Sequence, residues 1–388
     1  MNFIKNTENI EIELSIVMPC LDEAETIADC VAKARKFLET NNIKGEVIVA
    51  DNGSIDGSQQ LAINEGARIV DVPMKGYGSA LRGGITAAYG KFVIMGDSDG
   101  SHDLENLMQF VEMLRNGYDM VIGNRFKGES KAGSLSYLPR LIGNQSLSLI
   151  GKIFYRSPVS DFHCGLRGFT KEAFIKLDLR TTGMEFASEM IVKSSFIKLK
   201  VAEVPTKIFP SGRSRPAHLR PIHDGWRHLR FLLLYSPRWL FLYPGISFII
   251  FGICLGLLLL PGIRFSLDFH TLLYASTALI IGFQAVSFAI LSKVFAIQEK
   301  LLPEHERLMK LLKPLTLERG LFVGSLMVAL GLGGSVYAVI KAEQGQFGAL
   351  GLQSTMRLVI TSITLLVLGC QIIFSSFFLS ILKLKLHK

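Results

Sequence analysis

The sequence predicts an α/β domain built on a mostly parallel sheet, followed by an all-α domain of four transmembrane helices. Three observations carry that prediction. Over the first half of the chain, short apolar runs alternate with amphipathic stretches of helical period. Polar clusters sit at the ends of those runs. After Leu240, four long apolar stretches follow one another. Alternation of this kind implies parallel strands covered by helices on both faces. Ligands of such sheets bind beyond the carboxyl ends of the strands.

Taken in order, L-S-I-V-M (14–18) is a short buried strand that Pro19 stops. Asp22 and Glu25 form a capping box for a helix over 23–40, with Ile27, Val31, Ala34 and Leu38 on one face. A second strand over 46–50 runs into D-N-G-S-I-D-G-S (51–58), where Asp56 caps the next helix. A third strand covers 67–70, K-G-Y-G (75–78) follows, and a helix reaches about Tyr89. The fourth strand, 91–95, ends in D-S-D-G-S-H-D (97–103). A fifth covers 119–122 and runs into G-N-R-F (123–126) and a polar loop. An amphipathic helix over 137–155 either packs on the sheet or lies in a membrane interface. Glu185 and Glu189, four apart, share a helix face. A last strand spans 201–208. No G-x-x-x-x-G-K-[ST] occurs, and no G-x-G-x-x-G follows the first strand, which speaks against ATPase and dehydrogenase readings.

Asp97 and Asp99 stand just past the end of an apolar strand. Two carboxylates held close there require a cation. A hard divalent ion takes oxygen ligands, and magnesium uses one or two carboxylates together with substrate phosphates. The pair therefore reads as a D-x-D site that holds Mg²⁺ or Mn²⁺ against a diphosphate. The competing reading is a solvated turn with Asp103 as a helix cap.

Three ordered motifs, S-I-V-M-P-C-L-D-E-A-E-T-I, V-A-D-N-G-S-I-D-G-S and M-G-D-S-D-G-S-H-D, resemble the family 2 glycosyltransferases of GT-A fold. The likeness runs over roughly 12–240 and leans toward the polyprenyl-phosphate (dolichol-phosphate mannose or glucose synthase) branch. The resemblance implies that Pro19, Leu21, Glu23, Asp51 and Asp97 meet the donor nucleotide. It implies that Asp97 and Asp99 hold the metal, with Ser101 where relatives often carry a further ligand. Arg125 matches an Arg near the acceptor, and its planar fork suits phosphate. D-F-H-C-G-L-R-G-F (161–169) resembles the family's D-x-x-S/C-G-F-R, so Asp161 matches the family's candidate catalytic Asp and Arg167 its basic neighbour. A polyprenyl phosphate is largely ionised at neutral pH and scarcely requires a general base, so orienting the acceptor or pairing with Arg167 stands ahead of proton transfer as the role of Asp161. His163 reads as a polar side chain of that loop. P-S-G-R-S-R-P (210–216) resembles R-x-x-G-x-S-K without its leading Arg. Arg213, Ser214 and Arg215 thereby become candidates for gripping the donor diphosphate or the lipid phosphate.

The second half reads as membrane. The chain has 388 residues, 49% of them hydrophobic, and a net charge of +9. Its mean hydropathy of +0.35 is high for a soluble enzyme. That length allows two domains. The charge suits anionic partners such as lipid headgroups and phosphorylated substrates. Nucleic acid is set aside, because the basic residues gather beside the apolar stretches. Seven Lys or Arg, with Trp226 and Trp239 close by, lie in or beside 207–238, as at a cytoplasmic interface. The apolar stretches, 240–261, 272–291, 321–340 and 358–382, are each long enough to cross the ~30 Å hydrocarbon core. The middle connection, 293–319, carries six Lys or Arg, which places both termini in the cytoplasm. The five cysteines show no metal spacing and read as reduced thiols. The N-terminus has no apolar core of a signal peptide.

The expected organisation is a catalytic domain over 1–219, an interfacial helix over 220–239 and a membrane domain over 240–388. The expected activity is inverting, metal-dependent transfer of a hexose from GDP-mannose or UDP-glucose to a polyprenyl or dolichyl phosphate. Membrane lipids are partners too, and a homo-oligomer is left open. Two alternatives stand beside it. A processive polysaccharide synthase would carry Q-x-x-R-W, whereas Tyr235 stands where the Gln belongs. A membrane-bound sugar-nucleotide sensor would bind the donor without turnover.

Overall fold

The computed structural model describes residues 12–128, 138–214, 221–258, 269–299, 312–343 and 349–384, with Leu302 and Lys310. The chain divides into two compact units, Met1–Leu232 and Leu233–Lys388.

The first unit carries β1 (Leu14–Cys20), α1 (Ile27–Thr40), β2 (Gly45–Asp51), α2 (Ser58–Asn64), β3 (Arg68–Asp71), α3 (Tyr77–Ala87) and β4 (Phe92–Met95). There follow α4 (Met108–Arg115), β5 (Met120–Asn124), α5 (Leu138–Tyr155), β6 (Arg167–Thr170), α6 (Lys171–Leu177), α7 (Phe186–Phe196), β7 (Val201–Pro205) and α8 (Pro221–Leu234). The strands form one sheet of order β3-β2-β1-β4-β6-β5-β7. All pairings are parallel except those of β6, which runs antiparallel to both β4 and β5. This is the mostly parallel α/β sheet that the alternation predicts, in a GT-A-like arrangement. Every residue of β1, β4 and β5 is buried, as uninterrupted apolar runs require of strands covered on both faces.

Several local expectations are corrected. Pro19 does not stop β1; it pairs with Ala50, and the strand continues to Cys20. A proline removes one donor from a ladder without ending a strand whose neighbouring bonds hold. The first helix begins at Ile27 rather than at residue 23, and its start has no side-chain cap. Asp22 instead adopts a left-handed φ of 54° and accepts from Ile55 N, so it closes a turn between two loops. Asp56 accepts from Ser58 N at the start of α2 and also from Ala24 N. Strand β6 is absent from the sequence reading, because R-G-F-T offers no apolar run, only Phe169 between a Gly and a Thr. The last strand ends at Pro205, not 208; Ile208 makes only an isolated bridge with His102.

The second unit opens with a π-helical turn, Arg238–Leu242, and continues as α9 (Tyr243–Leu258), α10 (Phe269–Gln298), α11 (Leu317–Glu343) and α12 (Ala349–Leu384). Four helical spans, Arg238–Leu258, His270–Gln298, Leu317–Lys341 and Thr355–Leu384, are long and apolar enough to cross a membrane. The helices pair through small residues. A Cβ on Gly245 would sit 2.9 Å from the Gly282 carbonyl, and one on Gly324 would sit 2.8 Å from that of Gly369. Close backbone approach at glycine is how helices associate where no hydrophobic force separates protein from lipid.

Candidate active site

The D-S-D turn sits where the topology of the sheet exposes strand ends. Ser98 donates to the Pro19 carbonyl at 2.7 Å, and its own carbonyl accepts from Thr26 Oγ1 at 2.7 Å. The turn is thereby bolted to the end of β1 and the start of α1. Asp97 Oδ1 accepts from the Tyr77 hydroxyl at 2.8 Å, and Asp97 Oδ2 lies 3.0 Å from His102 Nε2. Burial by itself would raise the Asp97 pKa. The hydrogen bonds from His102 and Tyr77 and the charge of Arg213 outweigh it and hold the carboxyl below its usual range. Asp97 is therefore a carboxylate at neutral pH.

Asp99 Oδ1 accepts from Ser101 N at 3.0 Å, and Asp99 Oδ2 from Arg213 Nη2 at 2.7 Å. The same guanidinium reaches Glu23 Oε1 at 2.7 Å through Nη1. Arg213 thus bridges the loop after β1 to the loop after β4. Ser214 donates to Glu25 from its backbone at 2.5 Å and from its hydroxyl at 2.6 Å. Gly212 N donates to the Asp99 carbonyl, which lays 211–214 across the two acidic loops. Next to this strap is a cavity of about 410 Å³ lined by Asp22, Glu23, Glu25, Ile55, Asp56 and Arg213 among others. Ser101 is tied through its backbone, its carbonyl accepting from Phe209 N. Leu21 stays partly exposed beside Glu23. Arg215 lies outside the described residues.

Asp51, at the end of β2, is buried and accepts from Gly53 N, Ser54 N and Gln59 Nε2. It shapes the loop after β2. A second cluster forms around Asp161. Arg125 approaches it fork-on, Nε to Oδ2 and Nη2 to Oδ1, both at 2.7 Å. Asp161 is fully buried and Arg125 nearly so. The paired carboxylate outweighs burial and pushes the Arg125 pKa above its already high value. Arg167 is not Asp161's partner. It is fully buried and donates to the carbonyls of Cys164, Ala187 and Phe162 at 2.9, 2.5 and 2.8 Å. Burial brings its pKa down to about 10.

The structure thus brings Pro19, Glu23, Asp97, Asp99, Ser101, Arg213 and Ser214 together, and pairs Arg125 with Asp161. Residues passed over in the sequence complete both groups. Tyr77 and His102 hold Asp97. Glu203 of β7 accepts from Ser160 N, Asp161 N and Asn124 Nδ2, and so supports the Asp161 loop. An acidic residue inside the otherwise apolar V-A-E-V-P was the one available signal for Glu203.

The donor chemistry at Asp97 and Asp99 fits a hard divalent cation. Each of their oxygens has one protein partner described above and two lone pairs, so each keeps acceptor capacity. Among the described residues, no group of three or more His, Cys, Asp or Glu side chains is gathered for a metal. That composition suits an ion that completes its shell with water and substrate phosphate. The free Cys20, Cys30 and Cys164 are buried, and burial pushes their thiols up to about 11, 12 and 12.

Residues 15–178 match the glycosyl transferase family 2 model, and 290–383 match the glycosyltransferase family 2 C-terminal transmembrane region. The low-salt glycan biosynthesis hexosyltransferase Agl6 of Haloferax volcanii is 34% identical over 371 residues, 94% of this chain and 88% of that protein. Glycosyltransferase AglJ of the same organism is 30% identical over 71% of this chain and 91% of its own length. A dolichyl-phosphate hexose transferase, also from H. volcanii, is 26% identical over 51% of this chain and 84% of its own. Glucosyl-3-phosphoglycerate synthase of Mycobacterium tuberculosis, a solved structure, is 21% identical over 58% of this chain and 81% of its own, with a TM-score of 0.44.

Proposed function

The chain belongs to glycosyltransferase family 2 and is an integral-membrane glycosyltransferase acting on a nucleotide-sugar, and from that premise we propose that it transfers a hexose to the phosphate of a polyprenyl lipid at the cytoplasmic face. The observation that carries the reading is the pairing of two sites in one domain. One is an acidic strand end clamped by Arg213; the other is a partly buried Arg125 aligned by the buried Asp161 carboxylate. The membrane segments and the dolichyl-phosphate hexose transferase among the relatives support a lipid acceptor.

Asp97 and Asp99 would hold Mg²⁺ or Mn²⁺, which when bound neutralises charge on a leaving diphosphate. Tyr77 and His102 keep Asp97 ionised and aimed. Arg213 supplies positive charge at the same place; a diphosphate competing for its fork would draw it from Glu23 or Asp99. Asp161 fixes the plane of Arg125, so that the guanidinium meets an acceptor phosphate without reorganising. The phosphate is its own nucleophile and needs no base. In-line attack on the anomeric carbon breaks the bond to the diphosphate and inverts the centre. The residues therefore act by positioning and by charge.

Purified protein would be incubated with polyprenyl phosphate, Mg²⁺ or Mn²⁺ and, in separate tubes, labelled UDP-glucose, UDP-GlcNAc and GDP-mannose. Label should enter the organic phase as a single sugar from one donor, and Asp99→Ala and chelator should abolish it. Arg125→Lys should lower kcat/KM for the lipid by about tenfold to a hundredfold, the worth of a charged hydrogen bond. A donor that binds tightly yet transfers no label would overturn the reading in favour of a sensor. Label in long polymer would overturn it in favour of a processive synthase.

A further inference from the structure

The loop that carries Asp161 is gripped from three helices. Ser148 of α5 accepts from Phe162 N at 3.1 Å, and its hydroxyl lies 3.5 Å from His163 Nδ1. The Phe162 ring packs on α5 at Gly151, where a Cβ would come within 2.6 Å of it. Arg167 ties the loop to α7 through the Ala187 carbonyl. The third grip is from α8. The rings of His163 and His228 meet edge to face, centroids 4.5 Å apart and planes at 86°, an attractive aromatic geometry.

His228 is itself held. Its Nδ1 lies 2.9 Å from Ser188 Oγ of α7, and the ring is buried. Beside it, Arg227 pairs with Glu185 at 2.9 Å, and Tyr155 donates to the Leu232 carbonyl at 2.5 Å. On the outer side of the same helix, Trp226 is 58% exposed. So α8 carries an exposed aromatic on one face and a ring against the Asp161 loop on the other.

His163 closes the connection. Its backbone N–H donates to Asp161 Oδ1 at 3.3 Å, the oxygen that also accepts from Arg125 Nη2. Its Nε2 is buried and has no hydrogen-bond partner among the described residues. A plain hydrocarbon ring would fill the space without that cost. Burial, then His228 and Arg125, hold the His163 pKa well below its usual value. The ring is therefore neutral and adds no charge to repel Arg125.

We propose that the His163–His228 contact is the positioning link through which α8 holds the Asp161–Arg125 pair in register for the acceptor phosphate. This rests on the reading that Arg125 serves that phosphate. Both histidines are positioning residues; neither is assigned contact with substrate.

The test uses the full-length protein in lipid nanodiscs, with polyprenyl phosphate and whichever sugar nucleotide supports transfer. His228→Asn keeps an amide for Ser188 and removes the ring edge. It should raise KM for polyprenyl phosphate about three- to tenfold, the worth of one edge-to-face ring pair. KM for the donor should stay put at an assay temperature well below the melting point of each variant, whatever the lost ring costs in stability. His163→Ala should do the same, and the double variant should be no worse than the larger single, because the two act through one contact. An unchanged acceptor KM, a parallel change in both KM values, additive effects, or activity lost in step with melting temperature would each overturn the link. Wild-type protein that transfers nothing to polyprenyl phosphate would sink the acceptor assignment and the link with it. Active wild type with unaltered variants would sink the link alone.

Discussion

At the scale of single residues, Asp51 separates charge from contact. Its oxygens are engaged by its own loop and by Gln59, so the carboxylate is held by protein donors alone. Burial would raise its pKa, but the hydrogen bonds from Ser54, Gln59 and Gly53 outweigh it and lower it. A carboxyl with a depressed folded pKa adds stability that is complete above its unfolded pKa, about 4. That stability is lost as pH falls through the folded value. Asp51→Asn should therefore flatten the decline of melting temperature below about pH 4, read by scanning fluorimetry of solubilised protein. A slope equal to that of wild type would show that Asp51 is no better held in the folded state than in the unfolded one. The residue types at the site were legible in the sequence: D-S-D, Arg125, Asp161 and Arg213 all stand in quotable motifs. Their partners were not. Nothing in the chain's order announces that Arg213 reaches back 190 residues to Glu23, or that Tyr77 meets Asp97.

At the scale of elements, β6 and its Arg167 organise the centre of the sheet. Among the described residues, β6 is the one antiparallel strand, inserted between β4 and β5. R-G-F-T has one large apolar residue beside an Arg and a Gly, whereas the equally short β4 is the apolar run F-V-I-M, which is why β6 escaped the pattern that revealed β1, β2 and β4. Arg167 opens it and satisfies three buried carbonyls. Each carbonyl left without a donor costs about 1–3 kcal/mol. Arg167→Leu should thus lower the melting temperature sharply, by an amount matching loss of several kcal/mol in all. Denaturation of solubilised protein checks this. A variant that melts like wild type yet loses kcat would instead make Arg167 a group that meets substrate. α5 divides the two expectations held for it: Tyr155 and Ser148 are buried, while Leu149 and Ile153 remain exposed.

At the scale of the whole molecule, charge and hydropathy are segregated along the chain. Basic residues concentrate at 207–238 and 293–319, and few occur within the spans. From the positive-inside rule we propose that the N-terminal unit, the 293–319 connection and the C-terminus face the cytoplasm. A reporter fused at Lys388 should be active only if its active form is cytoplasmic, and one inserted near Arg264 only if its active form is not. The opposite pattern would reverse the orientation. The sequence by itself determined the fold class, the two-part organisation, the four spans and the motif residues, because each follows from local period, length and composition. The tertiary structure alone decided the antiparallel β6, the Arg213 clamp, the seating of Asp97 between Tyr77 and His102, and the burial of Arg167. These depend on which distant segments the sheet order makes neighbours, and side-chain charge is satisfied only by what lies beside it in space.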